Sequence, residues 1–232
     1  MAEACLSCGA PLVYFETAKE MECQHCHGKF MSNAACENGH YICDDCHSKL
    51  GVETILEYCL NEQGKDPIRM AMALMAKDSI YMHGPEHHVM VGAVLLTAFH
   101  NSGGSIHLPT ALAEMAQRGS GVPGGICGLW GCCGAAISAG IYLSIALGAT
   151  PLSEGSWGLC NQLTSACLQD IGSHGGPRCC KRDSFLAIRR AVQFTKEHLG
   201  IEMALPSQIK CPYSYRNDQC LKGACPFYGG NP

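Results

Sequence analysis

From residue 51 onward, apolar positions recur at helical spacing and strand-type alternation is scarce. Residues 52–62 and 66–77 each fit a short helix, the second with Asp66 as its cap and Pro67 at its first position. Met70, Met72 and Met75 read as adaptable packing groups rather than soft-metal ligands. A turn at Gly84 and Pro85 starts the next helix, which continues to residue 101 through Leu95, Leu96 and Phe99. After a loop over 101–105, another short helix runs from Pro109 toward Arg118. Residues 135–148 are apolar and rich in small side chains, and helical spacing resumes over 157–171, placing Cys160, Thr164 and Cys167 on one face. The break at 172–177 precedes a peripheral helix over 184–199, with Asp183 expected as its cap. The pattern predicts a mainly α fold.

The amino-terminal residues follow a different logic. Four ligand pairs stand there: Cys5/Cys8, Cys23/Cys26, Cys36/His40 and Cys43/Cys46. Eight soft ligands at these spacings match two tetrahedral zinc sites. From Cys23 onward the spacing resembles the first six ligands of a RING-type cross-brace. In that arrangement Cys23, Cys26, Cys43 and Cys46 hold one ion, and Cys5, Cys8, Cys36 and His40 the other. The upstream pair replaces the late pair of a RING, so ubiquitin-ligase chemistry does not carry over. Sequential pairing is the rival, and it would crowd Cys36, His40, Cys43 and Cys46 around one ion. Both topologies require thiolates, and both make metal binding part of folding. His25, His27 and His47 are read as surface groups or neighbours of the ligands. The expected organisation is a double-zinc module over 1–50, a glycine- and cysteine-rich helical domain over 51–205, and a cysteine-containing tail over 206–232 packed on that domain.

Composition narrows the functional classes. With 16 Lys and Arg against 20 Asp and Glu, the chain has a formal net charge of −4. The metal module carries Lys19, Lys29 and Lys49 among more numerous acids and lacks the basic stripe of a nucleic-acid binder. The apolar run 135–149 falls short of the roughly 20 residues that span a bilayer. No basic segment precedes a long apolar run at the start, so no secretory signal is read. Eighteen cysteines, arranged partly as CxxC and adjacent pairs, fit a reducing, cytoplasmic and oxygen-poor setting.

Candidate chemistry gathers in three places. His87, beside His83 and His88 at a helix start, is placed to stay neutral and to ligate or move a proton. The glycine-rich stretch 119–134 brings Cys127, Cys132 and Cys133 to the start of the apolar helix. Cys167, Cys179 and Cys180 are candidates to complete a cofactor site with them, and small buried packing is the alternative reading of Cys167. In the tail, Cys211, Cys220 and Cys225, with Cys179 or Cys180, suit a third zinc or an iron–sulfur cluster. A redox disulfide and unmetallated core thiols are the alternatives there.

The run from Gly124 to Gly140, above all Cys133-Gly134-Ala135 and Gly140, resembles the core of the C-GCAxxG-C-C redox-associated family. Cys167 and Cys179 or Cys180 correspond to that family's later cysteines. Most of the chain after Tyr81 resembles an uncharacterised DUF5714-type protein of anaerobic bacteria and archaea, a resemblance that assigns no reaction. The expectation is a metalloprotein enzyme of redox or sulfur-group chemistry, with His87, Cys127 and Cys133 as catalytic candidates and a small-molecule substrate. The alternative is a zinc-stabilised assembly protein that docks an anaerobic enzyme partner.

Overall fold

The computed structural model describes residues 5, 7, 8 and 10–230. It opens with an antiparallel hairpin, β1 (Leu12–Glu22) and β2 (Lys29–Cys36), paired from Leu12↔Cys36 to Glu22↔Lys29 with an irregularity between Tyr14 and Lys19. Eight helices follow: α1 (Asp44–Asn61), α2 (Pro67–Met75), α3 (His87–Asn101), α4 (Leu108–Ser120), α5 (Ile126–Leu129), α6 (Gly134–Ala146), α7 (Gly155–Ser173) and α8 (Cys180–Leu199). The fold is mainly α, as the sequence pattern predicts.

Helix α3 is the axle. Every residue from His87 to Phe99 is buried, and α1, α2, α4, α6 and α8 all pack against it. A helix that is apolar all round has no solvent face, so it takes the centre. Its crossings with α4 and α6 are close because Gly92 has no side chain: a methyl group there would strike Met115 of α4 and crowd Ser138 O of α6, and the Gly92 N–H donates to Ser138 Oγ at 2.9 Å. Gly140 plays the same part between α6 and α7, where a methyl would overlap Thr164 Oγ1.

The short α5 falls within the stretch read as glycine-rich, and two longer helices also differ from the sequence reading. α1 begins at Asp44, not 52, and so grows out of the ligand pair Cys43/Cys46. Its buried stripe is His47, Gly51, Ile55 and Cys59, one residue every fourth position. Only Ile55 of the four announces itself as a core residue, which is why the first two turns were not legible. α8 begins at Cys180, and Cys179, not Asp183, is its N-cap, accepting from Arg182 N at 3.5 Å. Nor is α8 peripheral: all residues from Lys181 to Ile188 are buried. The charges tolerate this because they are partnered. Arg182 donates to Asp183 at 2.9 Å, and the Lys181 ammonium donates to Tyr81 O at 2.7 Å.

The tail folds back over α2 and α8. Ala204 N donates to Lys65 O at 2.9 Å and Tyr213 OH to Met72 O at 3.0 Å, while Phe227 meets Phe185 edge to face at 5.5 Å. Among the described residues no helix is long and apolar enough to cross a membrane.

Candidate metal centres and a cysteine-lined pocket

The hairpin sorts the amino-terminal ligands. Its open end brings Cys36 beside Cys5 and Cys8, with His40 just beyond, while its turn carries Cys23 and Cys26 to the start of α1. Two groups result, Cys5/Cys8/Cys36/His40 and Cys23/Cys26/Cys43/Cys46, each with all ligand atoms within 4.8 Å of one another. This is the interleaved arrangement. Cys8 Sγ lies 3.5 Å from Cys36 Sγ, Cys26 Sγ 3.7 Å from Cys43 Sγ, and Cys5 Sγ 3.7 Å from His40 Nδ1. A zinc–sulfur bond of about 2.3 Å in a tetrahedron sets sulfurs about 3.8 Å apart. Both groups could therefore hold metal ions such as zinc.

The electrostatics suit groups that hold a cation. The Ala10 N–H holds the Cys8 thiol down at about 6. Burial resists ionisation of Cys23, but backbone N–H groups of Cys43, Cys26 and His25 bring it to about 6. Cys46 goes the other way, to about 12, because the adjacent Cys43 sulfur competes for the same charge. Four crowded sulfurs cannot all ionise until a cation neutralises them. His25 and His27 are exposed. His47 is buried and stacked on Tyr81 with ring centroids 3.1 Å apart.

That stack joins the metal module to a pocket of about 230 Å³ lined by the first residues of α3, α5, α6 and α8. Its chemistry comes from Cys127, Cys133 and Cys180 with His83, His88, Arg178 and Asp183. A wider groove of about 700 Å³ also touches Cys127, Cys133, Arg178 and Asp183 and runs past the end of α7. Burial, with Asp183 adding to it, pushes the Cys133 thiol up to about 12, and burial pushes Cys180 to about 12 as well. Both are neutral thiols until a base or a cation acts on them.

The three histidines divide the work. His87 lines the pocket but is 1% exposed; Nδ1 donates to Gly84 O at 3.1 Å and Nε2 accepts from Lys181 Nζ at 3.1 Å. Burial and the Lys181 charge pull it down to about 4, so it is neutral and its nitrogens are engaged. His88 donates from Nδ1 to Val122 O at 2.9 Å, which leaves Nε2 as an acceptor, packed where Gly134 lacks a side chain. His83 Nδ1 accepts from Cys180 N at 3.5 Å, and Nε2 donates to Asn217 Oδ1 at 3.3 Å.

The remaining sequence candidates separate. Cys132 lines neither the pocket nor the groove, and Cys167 is fully buried in the core with Sγ 3.7 Å from Ala187 O. Cys179 faces away from Cys180 into a second cavity, with Cys211, Cys220 and Cys225. Sequence reasoning missed Lys181, Arg178, Asp183 and Asn217 as site residues. The available signal was three charges following the Cys179/Cys180 pair at a helix start, an arrangement that burial makes chemical rather than solvated.

No curated protein and no solved structure matches the chain. The profile of a family of unknown function, DUF5714, matches residues 55–228, from the fourth turn of α1 through the tail cysteines. The chain belongs to the DUF5714 family.

Proposed function

We propose that the chain is a zinc-braced, cysteine-dependent enzyme that performs redox or sulfur-group chemistry on a small molecule. The observation that carries this reading is the single pocket that holds Cys127, Cys133 and Cys180 together with His88, Arg178 and Asp183. Helix starts favour negative charge and Arg178 adds a fixed cation, so the chamber suits anionic sulfur species, while burial keeps Cys133 and Cys180 as thiols until a base acts on them. His88 Nε2 takes a thiol proton. The resulting thiolate attacks the terminal sulfur of a polysulfide, forms a new S–S bond and releases a polysulfide one sulfur shorter. Zinc suits the amino-terminal groups because each offers four protein ligands and no open position, the mark of a structural site. The thiol-rich composition supports a reducing cytoplasmic setting.

A second reading, a docking protein for an enzyme partner, draws on Leu129 and Trp130. They are 82% and 69% exposed, and Leu129 lies on the rim of the groove. Anaerobic protein offered inorganic polysulfide separates the two readings. The enzyme takes up sulfur as a persulfide mapped by mass spectrometry to Cys127, Cys133 or Cys180, and Cys133→Ser with Cys180→Ser lowers uptake at least about tenfold. Uptake at no pocket cysteine, or equal uptake at Cys59 and Cys167, favours docking.

A further inference from the structure

The cavity behind Cys179 is walled by four cysteines from two distant parts of the chain: Cys179 at the start of α8, and Cys211, Cys220 and Cys225 in the tail. The tail is built to present them. Cys211 N donates to Phe227 O at 2.7 Å, which pins the first thiol segment beside the last, and turns at Asn217 and Lys222 aim the other two. Met82, Tyr213 and Phe227 close the remaining wall.

Three observations identify the occupant. First, the space between the thiols is about 20 Å³, far below the roughly 300 Å³ of an organic ligand pocket, so it suits an inorganic group bonded to the thiols themselves. Second, N–H groups point at the sulfurs: Arg182 N and Asn217 Nδ2 at Cys179 Sγ, at 3.5 and 3.4 Å, and Lys222 N at Cys220 Sγ, at 3.3 Å. Such donors stabilise metal-bound thiolates and tune clusters. Third, no three of these sulfurs lie mutually within 4.8 Å, whereas both amino-terminal groups satisfy that spacing throughout. A single zinc ion draws its sulfurs to about 3.8 Å. The wider set of thiols disfavours one tetrahedral ion and suits a body of several metal atoms.

We propose that Cys179, Cys211, Cys220 and Cys225 ligate an iron–sulfur cluster. Its core and thiolates carry net negative charge, and two buried cations, Lys181 and Arg182, line the same cavity. Among the described residues Lys181 has no carboxylate at ion-pair distance. The cluster would stand directly behind the pocket wall, since Cys180 is the next residue and Asn217 bridges Cys179 Sγ to His83. The assignment itself rests on the four thiols and not on the reaction read for the pocket.

The test uses the full chain, purified and reconstituted anaerobically with ferrous iron and sulfide, then assayed for iron, acid-labile sulfide and zinc. The expected result is iron and sulfide in equal amounts and visible absorption that dithionite bleaches, with zinc unchanged at about two per chain. Cys220→Ser with Cys225→Ser should lose the iron and sulfide while keeping both zincs and the helical circular-dichroism signal; Cys132→Ser should keep all of them. A third zinc without sulfide in the wild-type chain overturns the assignment, as does a wild-type chain with no metal beyond two zincs. Full iron and sulfide retention in the double variant also overturns it. The wild-type stoichiometry decides the matter even where a variant fails to fold. Failure here leaves the polysulfide experiment on the pocket untouched.

Discussion

His87 shows how a residue can be legible as special while only part of its surroundings is: it lines one pocket with Cys127 and Cys133, as expected, and has a further partner the sequence does not announce. Its position after Gly84-Pro85 marks a helix start, and the neutral imidazole expected there is the state found, although the cause is burial more than the helix field. What the sequence could not supply is Lys181, ninety-four positions away, which occupies Nε2. The acid consequence has a definite sign. In the unfolded chain the imidazole titrates near 6.5, and in the folded protein near 4. Below pH 6.5 the unfolded state binds more protons, so stability falls from pH 6.5 toward pH 4, by on the order of 3 kcal/mol from this residue. His87 faces Glu86, Lys181 and Gly84 O, and only the imidazole changes charge over that range if the carboxylate stays ionised. Urea midpoints measured across the interval should fall more steeply for wild type than for His87→Gln. Parallel curves would refute the assignment. Asp66 gives a simpler case: the cap is readable from Asp-Pro, and its side chain accepts from Ile68 N at 3.0 Å and Arg69 N at 3.1 Å. Asp66→Ala should cost about 1 kcal/mol in the same assay.

Among the elements, helices with an apolar stripe and ordinary caps were readable, and those that grow from candidate metal ligands or bury charge were not. Strands β1 and β2 expose most of their side chains and lack simple alternation, so nothing in their hydrophobicity calls for a hairpin. Their register is held by ladder hydrogen bonds and by the ligand groups at the two ends. α8 misled in the opposite sense, because Lys181, Arg182 and Asp183 read as solvent-facing until their partners are known. The contact of α6 with α7 yields a paired prediction. Gly140→Ala drives a methyl into Thr164 and should destabilise by about 1–3 kcal/mol, whereas Gly158→Ala, on α7, meets nothing within 4 Å and should stabilise by roughly 0.5–1 kcal/mol. Thermal or urea unfolding of the two variants checks this. Equal effects would mean that the close approach of α6 and α7 is not a constraint.

At the scale of the whole molecule, the metal module and the pocket form one mechanical unit. Cys43 and Cys46 start α1; one residue further on, His47 stacks on Tyr81. Tyr81 O in turn accepts from Lys181, and Tyr81 N donates to a Glu86 carboxylate oxygen at 2.9 Å, at the entrance to α3. Loss of the ion at Cys23/Cys26/Cys43/Cys46 should therefore loosen the pocket as well as the hairpin. Chelation is expected to raise alkylation of Cys133 and Cys180 at least about tenfold while Cys167, deep among α7 and α8, changes little. Unchanged pocket thiols after complete zinc loss would separate the two regions. The cross-braced pairing was legible from ligand spacing, but its reach into the pocket was not, because it runs through His47 and Tyr81, which carry no motif. The pairing is the claim on which the placement of α1, the stack and the pocket wall all depend. Native mass spectrometry of wild type, Cys5→Ser, Cys23→Ser and Cys43→Ser tests it most directly. The account predicts two zincs in wild type and one in each single variant. It also predicts that Cys23→Ser with Cys43→Ser still keeps one, whereas Cys5→Ser with Cys23→Ser keeps none. The reverse outcome, one zinc retained by Cys5→Ser with Cys23→Ser and none by Cys23→Ser with Cys43→Ser, would contradict it.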